Sequence, residues 1–285
     1  MTEVSSTKAL EHAADLIWQA DRIIIAAGAG MGVDSGLPDF RGKDGFWRAY
    51  PALGREQVDF YRIANPAAFL NHPARAWGFY GHRLHLYRTT VPHEGFRLLL
   101  ELAASMPRGG FVYTSNVDGH FQRAGFSEQR IVECHGSIHH LQCLEHCTEA
   151  IWSAADFVPE VDVAECRMVS AMPRCPDCGA LVRPAILMFS DWDWAEGRTR
   201  IQTVRLNPWL AQVERPVVIE IGAGSAIATV RAFAHGLDTP LIRINPTEWQ
   251  VPHRRDVGLA VGAREGIAGI VRALAGGENS TGLGV

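Results

Sequence analysis

A short apolar run near the N-terminus, Arg22–Ala27, constrains the fold of this chain most strongly. After the initial arginine its residues are isoleucines and alanines, and Gly28, Ala29 and Gly30 follow at once. A continuous apolar run of this length that ends in glycines is typical of a parallel strand buried on both faces, feeding a tight turn. The segment therefore predicts an α/β domain.

Three later segments share this pattern: Gly110–Thr114, Pro216–Ile221 and Leu241–Ile244. Each is followed by small or polar residues, and in open parallel sheets ligands bind outside the carboxyl ends of the strands. Residues 7–20 place apolar side chains at helical spacing and predict a helix that covers the sheet. We therefore expect a Rossmann-like, doubly wound parallel sheet that binds a nucleotide.

Two stretches interrupt the alternation of strands and helices. Residues 43–88 are rich in aromatic, arginine and histidine side chains and are predicted to be helical, while residues 138–182 carry paired cysteines. We expect both to form one smaller domain inserted into the sheet domain, which would comprise residues 1–42, 89–137 and 183–275. The glycine-rich residues 276–285 are predicted to be a flexible tail.

The composition is that of a globular protein of 285 residues with a formal net charge of -4. This charge gives no general basic excess for nucleic acid, so no direct nucleic-acid binding is expected. The N-terminal stretch lacks the apolar core of a signal peptide, and no apolar run reaches the length of a membrane span. We therefore expect a cytoplasmic protein with no membrane segment.

Four of the six cysteines form two close pairs, Cys143 with Cys147 and Cys175 with Cys178. Two such thiolate pairs can converge on one tetrahedral zinc ion, and four thiolates leave no open position for water, so the site would be structural. Because the first pair has a three-residue spacing, Cys166 or His146 could replace one ligand.

The glycine turn does not meet the G-x-G-x-x-G pattern, since Val33 stands at the third glycine position. The whole string 28–41, GAGMGVDSGLPDFR, nevertheless resembles the sirtuin signature of GAG followed by S-G-[IL]-P-D-F-R. The chain is similar over about residues 9–270 to bacterial-type sirtuins, which are NAD-dependent protein lysine deacylases. The resemblance implies that Gly28, Ala29 and Gly30 bind the NAD diphosphate and that Asp39, Phe40 and Arg41 belong to a mobile cofactor loop.

Further strings extend this resemblance. Residues 114–120 (TSNVDGH), with Ala124 and Gly125, resemble the family's T-Q-N-[VI]-D-x-L-H…AG block, and residues 133–137 (ECHGS) resemble E-L-H-G-S. The resemblance implies catalytic roles for His135, as the base for a ribose hydroxyl, and Asn116, which positions the ribose or water. The other cofactor contacts that it implies are Ser115, where the family usually has glutamine, Val117, Asp118, Gly222, Ala223, Ser225 and Asn245.

The substrate side rests on two segments. Residues 183–191 (RPAILMFSD) resemble R-P-x-V-V-x-F-G-E, which implies peptide contacts for Ile186, Leu187 and Phe189; Ser190 and Asp191 replace the family's glycine and glutamate. Tyr80 and Arg83 are three residues apart, so on a helix they share a face, where a phenol and a guanidinium can grip a carboxylate.

The tyrosine and arginine resemble the Y-x-x-R pair of sirtuins that remove succinyl, malonyl and glutaryl groups. The alternative is a buried tyrosine beside an exposed arginine, which would leave an apolar pocket for acetyl or a longer fatty acyl group.

The reaction that the resemblance implies is transfer of the acyl group from lysine to ADP-ribose with release of nicotinamide. Its substrates would be NAD and acyl-lysine proteins or peptides. Two alternatives use the same cofactor site: a protein ADP-ribosyltransferase or NAD hydrolase, for which the departures at Ser115, Ser190 and Asp191 leave room, and a non-catalytic NAD-sensing scaffold. The presence of Asn116, Asp118 and His135 argues against the scaffold.

Overall fold

The computed structural model describes residues 3–38, 42–212 and 214–280. The strands are β1 (Arg22–Ala27), β2 (Gly110–Thr114), β3 (Ile131–Glu133), β4 (Gly136–Cys143), β5 (Trp152–Ser153), β6 (Val161–Asp162), β7 (Arg167–Met168), β8 (Val182–Ile186), β9 (Pro216–Ile221), β10 (Leu241–Ile244) and β11 (Val257–Leu259). The helices are α1 (Glu3–Trp18), α2 (Gly30–Val33), α3 (Gly42–Ala49), α4 (Pro51–Arg55), α5 (Phe60–Ile63), α6 (Pro66–Asn71), α7 (Pro73–Thr89), α8 (Glu94–Ser105), α9 (His120–Arg123), α10 (Gly197–Ala211), α11 (Thr229–Gly236) and α12 (Ala263–Ser280).

A six-stranded parallel sheet forms the centre of the molecule, with the order β11-β10-β9-β1-β2-β3. All four strands predicted from the sequence occur, with the predicted bounds. From β1 the chain runs outward to β2 and β3, and later to β9, β10 and β11 on the other side. The topology therefore reverses between β1 and β9, where Ala27 is level with Ile221. Such a switch point is where open α/β sheets bind ligands.

Both faces of this sheet are covered, which explains why every residue of β1 is buried. Alternate residues point to opposite faces: Ile23 and Ile25 pack in one apolar cluster with α8 and α12, and Ile24 packs in another with α10 and α11. The doubly wound α/β fold is thus confirmed. In the described part of the chain, no helix has both the length and the apolar character needed to cross a membrane.

A third apolar cluster joins the helical segment α3–α7 to the cysteine-bearing segment. Its aromatic members include Phe46, Tyr50, Phe79 and Trp77, and the indole Nε1 of Trp77 donates to the carbonyl of Val182 at 3.0 Å. Burial of large aromatic side chains is the main favourable contribution to such packing. The two interruptions of the sequence pattern therefore pack on each other.

The structure differs from the sequence-based boundaries in two places. Residues 183–186, which were counted with the sheet domain, belong to strand β8, and this strand pairs with β4 in a three-stranded antiparallel sheet of order β5-β4-β8. Residues 276–280, which were predicted to belong to a flexible tail, form the end of helix α12, since extending an existing helix is cooperative. Residues 281–285 lie outside the described part, and the remaining domain bounds stay predictions.

Candidate active site

A cavity of about 710 Å³ opens at the carboxyl ends of β1, β2 and β9, between the large sheet and the inserted segment. This volume lies within the usual range for small-molecule sites. The sequence-predicted residues on its wall are Gly28, Ala29, Tyr80, Arg83, Ser115, Asn116, Val117, Asp118, His135, Ile186, Leu187, Phe189, Gly222 and Ala223. Asp39, Phe40 and Arg41 lie outside the described residues.

The turns after β1 and β9 meet backbone to backbone. A Cβ at Gly28 would lie 2.7 Å from the Cα of Ala223. Gly222 has a positive φ of 60°, and a Cβ there would clash with Gly30 at 2.4 Å. The N–H of Gly30 also donates to the carbonyl of Gly222 at 3.0 Å. Gly28, Gly30 and Gly222 thus form a glycine cradle at the switch point, where a pyrophosphate can approach the backbone closely. These residues fit a dinucleotide such as NAD.

Asn116 lies two residues after the end of β2, and its side-chain amide is held by the protein. Its Nδ2 donates to the carbonyl of Gly28 at 3.0 Å, and its backbone N–H donates to the hydroxyl of Thr114 at 3.0 Å. Since the amide nitrogen is engaged with the protein, its carbonyl oxygen is the part that can accept a hydrogen bond from a ligand. This orientation suits a ribose hydroxyl or a water molecule.

Asp118 is a buried carboxyl group on the cavity wall. Burial raises the pKa of Asp118, whereas the neighbouring His120 lowers it. The carboxylate accepts from the backbone N–H of His120 at 2.9 Å, and Nε2 of His139 donates to the Asp118 carbonyl at 2.8 Å. No role was predicted from the sequence for either histidine. They fix the backbone around Asp118.

His135 lies in the short turn between β3 and β4. Its Nε2 lies 3.2 Å from the hydroxyl oxygen of Thr229, the first residue of α11. Burial lowers the pKa of His135, so the imidazole is neutral at pH 7 and can accept a proton. Thr229 was missed by sequence reasoning, because no local motif marks a contact between residues so far apart in the chain.

The segment before His135 is held by α10. Glu133 is fully buried; its carboxylate forms an ion pair with Arg198 and accepts from Nε2 of Gln202 at 3.2 Å. Its carbonyl accepts from the hydroxyl of Thr199 at 2.9 Å. Buried charges persist where they are paired and hydrogen-bonded, and this arrangement fixes the strand that delivers His135.

Tyr80 and Arg83 lie on one face of α7, as their spacing predicted, and both reach the cavity wall. Arg83 is only 8% exposed, so the alternative of an exposed arginine is wrong. Its Nε and Nη2 donate to the hydroxyl of Tyr87 at 2.9 and 2.5 Å. Burial raises the pKa of Tyr80 to about 12, although Arg83 opposes this, so its phenol keeps its proton at physiological pH.

The predicted substrate segment is fixed by a buried ion pair. Arg183 donates through two nitrogens to the two oxygens of Asp191, both at 2.8 Å, and Asp191 also accepts from the backbone N–H of Met188 at 3.2 Å. Ser190 adopts a positive φ of 53°, a conformation that favours glycine. The replacement of the family's glycine thus strains a turn, and Ser190 does not line the described cavity.

Three of the predicted cofactor residues, Gly30, Ser225 and Asn245, do not line the cavity. Asn245 is fully buried; its Nδ2 donates to the carbonyl of Ala223 at 2.9 Å and its oxygen accepts from the N–H of Glu248 at 2.9 Å. The N–H of Ser225 donates to the Glu248 carboxylate at 2.9 Å. Asn245 therefore holds the loop after β9, and the predicted contacts of these residues with the cofactor stay predictions.

The four predicted cysteines come together in the inserted segment, with all their sulfur atoms within 4.8 Å of one another. Sγ of Cys143 lies 3.7 Å from that of Cys178, and Sγ of Cys147 lies 3.6 Å from that of Cys175. Tetrahedral zinc with Zn–S bonds of about 2.3 Å places sulfurs about 3.8 Å apart. The thiols thus fit a closed zinc site. Neither Cys166 nor His146 belongs to this cluster in the described chain.

A parallel sheet with a glycine cradle at its switch point and an inserted four-cysteine cluster define an α/β dinucleotide-binding protein with a zinc-binding module. The sequence model of the Sir2 family matches residues 28–204, and the chain belongs to this family.

Relatives and solved structures agree with this assignment. An "NAD-dependent protein deacylase" of Thermus thermophilus is 28% identical over 271 residues, 91% of this chain and 92% of that protein. The "NAD-dependent protein deacylase 1" of Pseudomonas aeruginosa is 28% identical over 90% of this chain and 96% of its own. An "NAD-dependent protein deacylase" of Aquifex aeolicus is 31% identical over 59% of this chain and 62% of its own length. A solved complex of a Sir2 homolog with NAD has a TM-score of 0.70 at 24% identity, covering 95% of this chain and 94% of that one.

Proposed function

We propose that this chain is an NAD-dependent protein lysine deacylase that favours acyl groups ending in a carboxylate, such as succinyl and malonyl. The observation that carries the acyl preference is the buried guanidinium of Arg83 beside Tyr80, on the wall of the same cavity as Asn116 and His135. The relatives named as NAD-dependent protein deacylases support the coarser activity.

When bound, NAD supplies a ribose carbon that accepts the acyl oxygen, with nicotinamide as the leaving group. The neutral imidazole of His135 accepts the proton of a ribose hydroxyl. The amide of Asn116, held by Gly28, orients that ribose or a water molecule through its carbonyl oxygen. Asp118, whose carboxyl group lies on the cavity wall, would accept from the N–H groups of the nicotinamide amide.

The acyl preference follows from the cost of a buried charge. A guanidinium removed from water is stabilised most by an anion that it can hydrogen-bond, and the planar fork of arginine matches a carboxylate. A hydrogen bond of this charged kind contributes about 1.5–3 kcal/mol, which corresponds to roughly 10- to 100-fold in affinity. An acetyl group cannot make this interaction.

The lysine stem would lie along an apolar wall. Phe189 packs against Phe60, with ring centroids 5.7 Å apart, and against Tyr61 at 4.4 Å. The backbone here is fixed, since the N–H of Leu187 donates to the carbonyl of His135 at 3.0 Å and that of Phe189 to Ala64 at 2.9 Å. This surface suits the methylenes of an acyl-lysine held next to the catalytic histidine.

The test measures nicotinamide release and deacylation together on one peptide carrying acetyl-lysine or succinyl-lysine. We expect faster removal of succinyl, loss of both products with His135→Ala, and selective loss of succinyl removal with Arg83→Met. Arg97→Met, which changes an exposed arginine on α8, is the matched control and should leave both rates unchanged. An acetyl preference untouched by Arg83→Met would refute the acyl preference. Nicotinamide release without deacylation would instead support the ADP-ribosyltransferase or NAD hydrolase alternative.

A further inference from the structure

The hydroxyl of Tyr87 lies one helical turn beyond Arg83 on α7 and has no place in the Y-x-x-R pattern. Tyr87 is 5% exposed and lines the same cavity as Tyr80 and Arg83. The spacing of these three residues, three and then four along the helix, puts them on one face. Its phenol oxygen accepts the Nε and Nη2 hydrogen bonds of Arg83 at 2.9 and 2.5 Å.

A phenol has two acceptor positions and one proton to donate. Arg83 uses both acceptor positions, so the O–H of Tyr87 has to point elsewhere. Within residues 3–38, 42–212 and 214–280, the Tyr87 hydroxyl donates no hydrogen bond: Asp118 accepts instead from the backbone N–H of His120, and the ring of His120 meets Tyr87 edge to face, with centroids 6.5 Å apart. A buried donor of this kind needs a partner.

Tyr80 presents a second phenol of the same kind. It is 1% exposed, lies on the cavity wall, and its hydroxyl has no hydrogen-bond partner among the described residues. Two phenol protons and a guanidinium thus face one region of the cavity. An ionised carboxylate is acceptor-only, with about four lone-pair positions, and so can satisfy several donors at once.

We propose that Tyr87 is a further specificity-determining residue, which donates its hydroxyl proton to the terminal carboxylate of the acyl group beside Tyr80 and Arg83. This inference rests on the proposed acyl preference and extends it from two donors to three. An acyl chain without a terminal acceptor would leave the phenol protons of Tyr80 and Tyr87 unpaired, and a site that loses its polar partners rejects such a ligand. The third donor therefore sharpens discrimination against acetyl and fatty acyl groups.

The test compares wild type and Tyr87→Phe on one peptide carrying succinyl-lysine, acetyl-lysine or the neutral succinamyl-lysine, with kcat and KM determined separately. Phenylalanine keeps the ring that packs on Arg83 and His120 and removes only the hydroxyl. We expect kcat/KM for succinyl to fall about 10-fold, mainly through KM, with the acetyl and succinamyl values within about twofold of wild type.

Tyr113→Phe is the matched control, because Tyr113 stacks on Phe233 and does not line the described cavity; it should leave all three values unchanged. An equal loss on all three peptides would assign Tyr87 a structural role, and no change would remove it from the site, so either result overturns the inference. If wild type itself shows no succinyl preference, the proposed function fails together with this inference. A wild-type preference that survives in Tyr87→Phe defeats the inference alone.

Discussion

The Nε2 atom of His135 lies 3.2 Å from the Thr229 hydroxyl, although 94 positions separate the two residues in the sequence. Thr229 begins α11, which packs against β1 and β9, so the sheet that carries the glycine cradle also sets the orientation of the histidine. The glycine cradle and the proposed base are therefore positioned by one rigid element.

Replacement of Thr229 by valine removes this hydrogen bond while keeping the branched shape of the side chain. A neutral hydrogen bond contributes about 1 kcal/mol, so we expect kcat to fall roughly fivefold with the KM for peptide unchanged. Steady-state kinetics on an acyl-lysine peptide checks this. Thr203→Val serves as control, since that hydroxyl bonds only to the carbonyl of Thr199 within α10. A Thr229→Val enzyme with wild-type kcat would mean that Thr229 does not orient the base.

The activity should depend on pH through His135. Burial lowers its pKa below the ordinary 6.5, because the charged imidazolium loses hydration. A base must be unprotonated, so activity is fully present above the lowered pKa and is lost as the pH falls through it. We expect kcat/KM to stay constant from pH 8 to about 6.5 and to decline only at lower pH. An acid limb centred above pH 6.5 would contradict the neutral, buried state of His135.

The sequence predicted what depends on local pattern. The four strand bounds, the cysteine cluster and the shared face of Tyr80 and Arg83 all follow from periodicity or spacing, and the structure contains each of them. The domain boundary drawn at Arg183 does not coincide with a change of sheet, because the five residues of β8 carry no signal for the strand with which they pair.

The residues that were missed act through long-range contacts. Thr229 reaches His135 only because α11 packs behind the sheet, and the fold brings His139 beside Asp118. Tyr87 could have been found from its helical spacing to Arg83, but its proposed role depends on whether its buried hydroxyl has an acceptor in the folded protein. These contacts and hydrogen bonds can be identified only from the tertiary structure.

Ser190 is a site where a substitution should stabilise the protein. Its φ of +53° costs roughly 1–2 kcal/mol for a residue with a Cβ, and glycine would remove this strain at an unfolded-state entropy cost of roughly 0.5–1 kcal/mol. We expect Ser190→Gly to raise the free energy of unfolding by about 0.5–1 kcal/mol, measured by urea denaturation. Ser105→Gly, in the last turn of α8, should have the opposite sign, by about 0.5 kcal/mol. A destabilised Ser190→Gly protein would show that the turn is not strained.

Zinc should hold the inserted segment in the shape that binds substrate. Cys143 and Cys175 are buried in the same apolar cluster as Tyr80, Ile186 and Met188, so loss of the ion would leave thiols that no longer cross-link the end of β4 to the cysteine-bearing loops. We expect Cys178→Ser to contain much less zinc than wild type, which should bind about one ion per chain, and to unfold at a lower temperature. Cys166→Ala, outside the cluster, should keep its zinc. Atomic absorption and thermal unfolding decide the matter, because wild-type zinc content in Cys178→Ser would exclude this thiolate as a ligand.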